Sequence, residues 1–199
     1  MMYMKKYIML AQSPGDRRAV IAYVEKRYFQ YFGTTPSESD TYLYACTDAD
    51  DSVIGAIGLD FEDENGKMPL ESIYTLSRSE VPLPLSSSNG AQFGKWNADT
   101  SDVSLPLLYA ASVHAIKKNK TYGWLNHTDA VHRVLTRKGV DFLHINASLV
   151  LQNVRKEDLS FYIKSDAKCY IMNLQQVVDV LHKGIFEAVE DKKIVFGEF

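Results

Sequence analysis

The stretch from Phe93 to Ile145 constrains the fold of this 199-residue sequence more than any other part, because strand-like and helix-like segments alternate along it. It predicts, in order, a strand, a helix, a strand, a helix and a strand, with the bounds Phe93–Asn97, Leu105–Lys118, Thr121–Asn126, Thr128–Lys138 and Val140–Ile145. Helices that connect strands in this way usually build a parallel or mixed sheet. The pattern therefore predicts an α/β fold, in which ligands tend to bind at the carboxyl ends of strands and beside helix N-termini.

Local signals support both helices of this stretch. Pro106 falls in the first turn of the predicted Leu105–Lys118 helix, where a missing N–H costs nothing. Thr128 can cap the second helix, and Gly139 stands where a left-handed residue commonly ends one.

The residues before this stretch predict a strand, a long helix and an antiparallel hairpin, with the bounds Tyr3–Ala11, Asp16–Phe32 (ended by Gly33), Thr41–Thr47 and Ser52–Phe61. Gly55 and Gly58, inside the second hairpin strand, indicate a bulge or a close backbone approach. Leu70–Leu76 predicts another strand, or a strand leading into a short helical turn. Ser77–Gly90 is either a lid over a site or a connector.

The residues after this stretch predict a short helix or turn, a strand and a helix, with the bounds Arg155–Ser165, Lys168–Met172 and Leu174–Lys183. Asn173 can cap the last helix and Gly184 is expected to stop it. Ile194–Phe196 either adds an edge strand or contacts another chain, which leaves a homodimer open. We expect one domain, 1–199, in which 174–199 form a C-terminal helix and tail.

Composition argues against several classes of protein. A formal net charge of −3 is unlike a nucleic-acid-binding protein, which normally presents a basic face. No segment approaches the ~20 apolar residues of a membrane span, so none is expected. The N-terminal apolar run Tyr7–Ala11 is shorter than the core of a signal peptide. These features predict a cytoplasmic protein.

Cysteine and histidine spacing gives no sign of a disulfide framework or a metal site. Cys46 and Cys169 are isolated from each other in apolar stretches, which favours buried free thiols. His127 and His132 are five residues apart, a spacing that does not place two ligands on one helical face. We therefore expect no metal and no permanently bound cofactor.

The common phosphate-binding and nucleophile motifs are absent, which leaves the strand, polar loop and helix start of Trp96–Leu105. Backbone N–H groups at such a helix start can bind a phosphate or pyrophosphate. Alternatively, Thr100, Ser101 and Asp102 simply cap the helix. The residues alone favour the cap, because Asp99 and Asp102 would repel an anion.

Several short segments resemble those of one known family. Lys26–Gly33 resembles the family's Arg-Tyr-rich helix end and glycine, and Met68–Tyr74 resembles its Phe-Leu-Glu-x-Tyr-Leu segment, with Glu71 at the position of the glutamate. Lys95–Asn97 resembles its Val-Gly-Asn segment, with Asn97 kept and Trp96 in place of the glycine. Thr128–Gly139 has the length and ends of its Thr-x10-Gly helix, and Phe161-Tyr162 falls near its Trp-Gly-x-Tyr-Tyr segment, of which only Tyr162 is kept. In order and spacing the chain resembles the GNAT acyltransferase superfamily, and within it the bacterial thermostable haemolysin family.

This resemblance implies a GNAT-like fold of the α/β (α+β) class, with a mixed, largely antiparallel central sheet flanked by helices. It implies an N-acyltransferase that moves an acyl group from acyl-CoA or an acyl-carrier protein to a small amine. Glu71 would be the general base and Tyr162 a proton donor or pocket wall, although Glu71 could equally form a simple salt bridge. The implied donor-binding residues are Lys95, Trp96, Asn97, Ser104, Leu105 and Thr128, with the pyrophosphate at the start of the Leu105 helix.

The sequence also departs from this superfamily's pattern. Asn97–Leu105 lacks the usual glycine-containing pyrophosphate loop, and Leu135 stands where many members carry a tyrosine. The alternative is therefore a catalytically inactive protein of the same fold that binds an acyl ligand or a protein partner. A membrane-active toxin is suggested only by the family's name, and no strongly amphipathic segment supports it.

Overall fold

The computed structural model describes residues 5–36, 42–65, 67–76, 89–165 and 167–198. In these residues the strands are β1 (Lys6–Leu10), β2 (Tyr42–Thr47), β3 (Val53–Asp60), β4 (Tyr74–Leu76), β5 (Gly90–Ala98), β6 (Tyr122–His127), β7 (Phe142–His144), β8 (Ala147–Leu149), β9 (Lys168–Asn173) and β10 (Ile194–Phe196). The helices are α1 (Pro14–Phe32), α2 (Ser101–Lys117), α3 (Asp129–Arg137), α4 (Lys156–Ser165) and α5 (Leu174–Glu190). Residues 77–88 of the predicted lid or connector lie outside the described residues.

Eight strands form one sheet in the order β10-β1-β2-β3-β5-β6-β9-β7, and β4 pairs with β8 as a separate antiparallel ribbon. Within the large sheet β1–β10 and β5–β6 are parallel pairs, and the remaining pairs are antiparallel. The mixed, largely antiparallel sheet flanked by helices is therefore confirmed. The edge strand predicted at Ile194–Phe196 is confirmed as β10.

Helices cover both faces of the sheet. Successive residues of a strand point to opposite faces, so Tyr44 joins the core under α2 and α5 while Ala45 joins the core under α1. A third apolar cluster, which includes Trp124 and Ile171, lies beneath the β4–β8 ribbon and a 3₁₀ turn at Pro69–Ser72. None of the described helices combines the length and apolarity that a membrane crossing requires.

Both cysteines are buried and unbonded, as predicted. Burial raises the pKa of the Cys46 thiol and of the Cys169 thiol to about 12. Both sulfurs therefore stay protonated at neutral pH.

Most predicted helix ends agree with the structure. Gly33 and Gly139 have φ of 68° and 88°, and the Asn173 side chain accepts from the Gln176 N–H at 3.1 Å. The predicted stop at Gly184 is wrong, since α5 continues to Glu190 and buries Ile185 in the core.

The predicted start of α2 at Leu105 is also wrong. The helix begins at Ser101, because the Thr100 carbonyl already accepts from the Val103 and Ser104 N–H groups. Pro106 consequently lies inside the helix rather than in its first turn. It is buried, so its packing offsets the hydrogen bond that its ring removes.

Gly55 and Gly58 have the two roles expected of them. The β3–β5 register shifts between Ala56 and Gly58, which marks a bulge. A Cβ added to Gly55 would lie 2.9 Å from Leu107 Cδ1 and closer still to Val103 Cγ1. The close packing of α2 on β3 therefore requires a residue without a side chain at position 55.

We predict that Gly55→Ala lowers the free energy of unfolding by about 1–3 kcal/mol through overpacking against α2. Gly184→Ala is the matched control, because nothing lies within 4 Å of its added Cβ. It should raise the free energy of unfolding by about 0.5–1 kcal/mol. Urea denaturation at 25 °C measures both changes, and equal stability of the two variants would contradict the tight packing at Gly55.

Candidate active site

The sheet opens between β5 and β6. The two strands pair in parallel from Gly90 and Tyr122 to Phe93 and Leu125, and then both continue without pairing to each other. Within the described chain, the backbone groups of β5 beyond Phe93 thus face the gap between the strands on that side. Such N–H and C=O groups are strong hydrogen-bonding groups that a ligand can satisfy.

A bulge in β5 lies at this opening. Gly58 pairs with Gly94 and Ala56 with Asn97, so Lys95 and Trp96 together oppose the single residue Ile57. Lys95 adopts a left-handed φ of 48°, and the Asn97 side-chain amide donates to the Lys95 carbonyl at 3.2 Å. The extra residue carries Trp96 into the core on the α2 side.

A cavity of about 250 Å³ lies beside the bulge, and Gly94 and Lys95 form part of its wall. Its other lining residues come from the end of β3, the 3₁₀ turn, β6, the segment before α4 and the facing sides of α1 and α4; those used below are Asp60, Gln92, Asn126, Arg155, Asp158, Phe161 and Tyr162. Amide, acidic, basic and aromatic groups thus surround one small volume. This mixture suits a small polar ligand that has an apolar part.

Two carboxylates line this cavity. Asp60 ends β3, is only 4 % exposed and lies opposite Gln92 in the β3–β5 ladder. Gln92 Oε1 accepts from the Leu70 N–H at 2.6 Å, which ties the 3₁₀ turn to β5. Asp158 comes from the first turn of α4, one turn after Arg155. Carboxylates with a neighbouring guanidinium can bind an amine that also carries an acidic group.

Asn126 lines the cavity from β6. Its amide nitrogen donates to the Tyr74 hydroxyl at 2.6 Å, whereas no donor among the described residues reaches its buried Oδ1. A buried acceptor left without a partner costs about 1–3 kcal/mol. Asn126 Oδ1 is therefore a natural acceptor for an N–H group of a bound ligand.

Tyr162, for which the family resemblance implied a proton donor or a pocket wall, lines the cavity. Its ring contacts Phe161 and Tyr74 edge-on, with centroids 5.0 and 6.1 Å away. Burial raises the pKa of Tyr162. Its phenol therefore stays protonated at neutral pH, and can donate a hydrogen bond or a proton but cannot serve as a base.

Glu71 lies beside the cavity and does not line it. Its carboxylate accepts from the Met68 N–H at 2.8 Å and so closes the 3₁₀ turn. The catalytic role predicted for Glu71 stays a prediction.

The start of α2, where an anion-binding site is predicted, lies one turn earlier than expected. Because the Ser104 N–H donates to the Thr100 carbonyl at 3.1 Å, Ser104 and Leu105 are interior residues of the helix. The N–H groups that a helix start offers to an anion are instead those of Ser101 and Asp102. The difference arises because Pro106, a residue type that is common in first turns, lies inside this helix.

The two aspartates beside this helix start are neutralised by neighbouring side chains. Asp102 forms an ion pair with Lys6. Although partial burial opposes it, the hydrogen bond from Lys6 lowers the pKa of Asp102. Asp99 accepts from the Tyr23 hydroxyl at 2.9 Å and lies 3.6 Å from an Arg27 guanidinium nitrogen. The repulsion of an anion expected from the sequence is therefore reduced.

α3 begins on the other side of the gap, directly after β6. Thr128 is its N-cap residue, with an extended backbone, but its side chain makes no capping hydrogen bond.

Of the predicted donor-binding residues, the structure thus places Lys95, Trp96 and Asn97 at the bulge and Thr128 on the β6 side of the gap. Asp60, Asn126 and Asp158 were missed, and the only sequence signal for Asp60 was an acidic residue at the end of an apolar strand.

His127, the last residue of β6, packs against β9 and α3 beside the gap. Its ring stacks on Tyr170 of β9 with centroids 4.3 Å apart, and its Nε2 lies 3.3 Å from His132 Nδ1 in α3. Burial, assisted by the neighbouring His132, lowers the pKa of His127 to about 4. The neutral imidazole is therefore part of the packing at neutral pH.

No protein-family model matches this sequence, and no curated protein is detectably similar to it. Solved structures do match: FeeM, an N-acyl amino acid synthase from uncultured soil microbes, has 10% identity and a TM-score of 0.59, over 91% of this chain and 97% of its own. The CoA-dependent acyl-homoserine lactone synthase BjaI, solved with SAM and isopentyl-CoA, has 12% identity and a TM-score of 0.56, over 98% and 94%. A GNAT-family acetyltransferase from Staphylococcus aureus has 14% identity and a TM-score of 0.50, over 84% and 99%. At these identities the comparisons show the fold, and that fold is the GNAT fold.

We predict that His127→Phe reduces the acid sensitivity of the protein. Unfolded histidine binds a proton near pH 6.5, whereas folded His127 does so only near pH 4, so the unfolded state binds more protons between these values. Wild-type stability should therefore fall by about 3 kcal/mol between pH 7 and pH 4 on account of this residue alone. Denaturation of both proteins across this range measures the difference, and parallel curves for the two would contradict the burial of a neutral imidazole.

Proposed function

We propose that this GNAT-fold chain is an N-acyltransferase that moves an acyl group from acyl-CoA or an acyl-carrier protein to a small amine. One observation carries the proposal: the gap between β5 and β6 opens, at the β5 bulge, onto a cavity lined by the carboxylates of Asp60 and Asp158. A gap with backbone hydrogen-bonding groups suits an extended, amide-containing donor arm. A cavity with carboxylates suits the amine that receives the acyl group.

The donor would enter along β5. Its pantetheine amides would bind the β5 backbone beyond Phe93, over Gly94–Asn97 in the gap, and its pyrophosphate would bind the N–H groups at Ser101 and Asp102. Lys6 and Arg27, which already neutralise the nearby carboxylates, support an anion there. The CoA-dependence of BjaI supports the choice of donor.

The acceptor would occupy the cavity, where Asp60 takes a proton from the ammonium group and the free amine attacks the thioester carbonyl carbon. Backbone N–H groups at the bulge would stabilise the oxyanion of the tetrahedral intermediate. When this intermediate collapses, the C–S bond breaks and the second proton of the attacking nitrogen passes through the Tyr162 hydroxyl to the departing thiolate. An amide and a free thiol are the products. Arg155 would bind a carboxylate of an amino-acid-like acceptor, and the N-acyl amino acid synthase FeeM supports that acceptor class.

The second candidate function is an acyl-ligand or protein-binding member of the same fold without catalysis. The absence of glycine from Asn97–Leu105 favours it, because a glycine loop lets the backbone approach a pyrophosphate closely. Donor binding without turnover for any amine would identify this function. The relation to the thermostable haemolysin family, the cytoplasmic location and a homodimer stay predictions.

We predict that CoA and acetyl-CoA raise the melting temperature of the protein. A ligand present at 100 times its Kd stabilises the native state by roughly 2.7 kcal/mol, which a thermal shift assay detects easily. Ser101→Glu should abolish most of this shift, because the new carboxylate would repel the pyrophosphate. The substitution should not destabilise the helix itself, because a negative charge interacts favourably with the positive end of the helix dipole. Gln175→Glu places the same charge in the first turn of α5 and should retain the full shift. No shift of the wild-type protein with CoA, or an equal shift in the two variants, would contradict the proposed donor site.

We predict that Asp60→Asn lowers kcat by a factor of about 10² to 10⁴, as expected when a general base is lost. Glu71→Gln should change kcat less than a few-fold, because the amide oxygen can still accept from the Met68 N–H. The measurement is thiol release from acetyl-CoA, with an acceptor found by screening small amines and amino acids. The reverse ranking of the two variants would assign the base to Glu71, as the sequence resemblance implied.

A further inference from the structure

A second cavity, of about 280 Å³, lies behind the wall formed by Tyr162. The apolar part of its lining comes from the β4–β8 ribbon, from β9 and from Ile145, and it includes Ala147, Leu149 and Cys169. His144 and Lys168 add polar groups. The apolar part of this cavity would accommodate methylene groups, and the proposed reaction does not use it.

Two tyrosine rings separate the two cavities. Tyr162 lines both of them, and Tyr74 lines the second. Their ring centroids are 6.1 Å apart with the planes at 72°, an edge-to-face contact. We name this pair of rings the tyrosine partition.

The tyrosine partition is held in a fixed position. Tyr74 is 6 % exposed and packs in the cluster that contains Trp124 and Ile171. Its hydroxyl accepts from Asn126, which itself lines the first cavity. Moving the Tyr74 ring would therefore break a buried hydrogen bond and disturb a packed core.

The position of the partition limits the transferred group. In the proposed reaction the thioester carbonyl lies at the Lys95 bulge, so the acyl carbons must extend into the first cavity, which also holds the acceptor. That cavity measures only about 250 Å³. A longer chain could stay out of water only by entering the second cavity, and the two rings stand in that route.

Resting on the proposed function, we infer that Tyr74 and Tyr162 determine donor specificity: the tyrosine partition restricts the enzyme to short acyl groups. The substrate class is thus an acetyl- to butyryl-sized thioester. Removing either ring joins the two cavities and lets the chain accept longer acyl groups.

The test compares the affinities of acetyl-, butyryl- and octanoyl-CoA for wild type, Tyr162→Ala and Tyr74→Ala by titration calorimetry. Binding is measured rather than turnover, because Tyr162 is also the proposed proton donor. Each methylene that moves from water into an apolar cavity contributes about 0.8 kcal/mol, or about fourfold in affinity. Wild type should gain nothing from butyryl to octanoyl, whereas Tyr162→Ala should bind octanoyl-CoA at least tenfold more tightly than butyryl-CoA.

Tyr162→Phe and Tyr74→Phe keep the rings and should keep the wild-type order of affinities. If Tyr74→Ala does not fold because its core position is lost, Tyr162→Ala still decides, since Tyr162 lies on α4 and is less buried. A wild type that favours octanoyl-CoA tenfold, or a folded Tyr162→Ala with the wild-type order, would overturn the inference and leave the proposed function intact. Failure of CoA and all three thioesters to bind wild type would contradict the proposed function itself, and the inference with it.

Discussion

A strand in the middle of a sheet normally forms hydrogen bonds along both of its edges. On its β6 edge, β5 forms them along only part of its length. Where β6 moves away, the peptide groups of β5 are left facing a gap. The bulge at Lys95 and Trp96 lies in the same few residues and reverses which side chains face α2. The gap follows directly from this departure from regular pairing, and the cavity lies beside the bulge.

The polar groups around the cavity gain importance for ligand binding where they are buried, because burial strengthens their interactions with any group that enters the cavity. Asp60 is a charged residue at a position that water hardly reaches, and Asn126 keeps a buried oxygen for which the described residues supply no donor. Buried polar groups that line a cavity are candidates for binding a ligand or taking part in a reaction. The same burial holds Tyr162 in its neutral form, so the aromatic wall and the carboxylates have separate roles.

Features set by local chemistry could be predicted from the sequence, whereas features set by distant contacts could not. The caps at Gly33, Gly139 and Asn173 follow from the residues on either side, and all three are confirmed. Gly184 predicts a helix stop because the sequence alone does not show that Ile185 reaches the core. The insertion of β9 between β6 and β7 depends on pairing across the chain. The sequence does not single out Asp60 for the same reason, because only the β3–β5 register brings it next to Gln92.

The two buried thiols give the molecule a pair of built-in chemical reporters. Cys46 lies in β2 and Cys169 in β9, so they belong to different parts of the sheet. With pKa values near 12 neither thiol ionises appreciably at neutral pH, and alkylation requires that the surrounding structure open first. The alkylation rate at each cysteine therefore measures how often its own region opens. Comparison of the two rates distinguishes local breathing beside the second cavity from unfolding of the whole sheet.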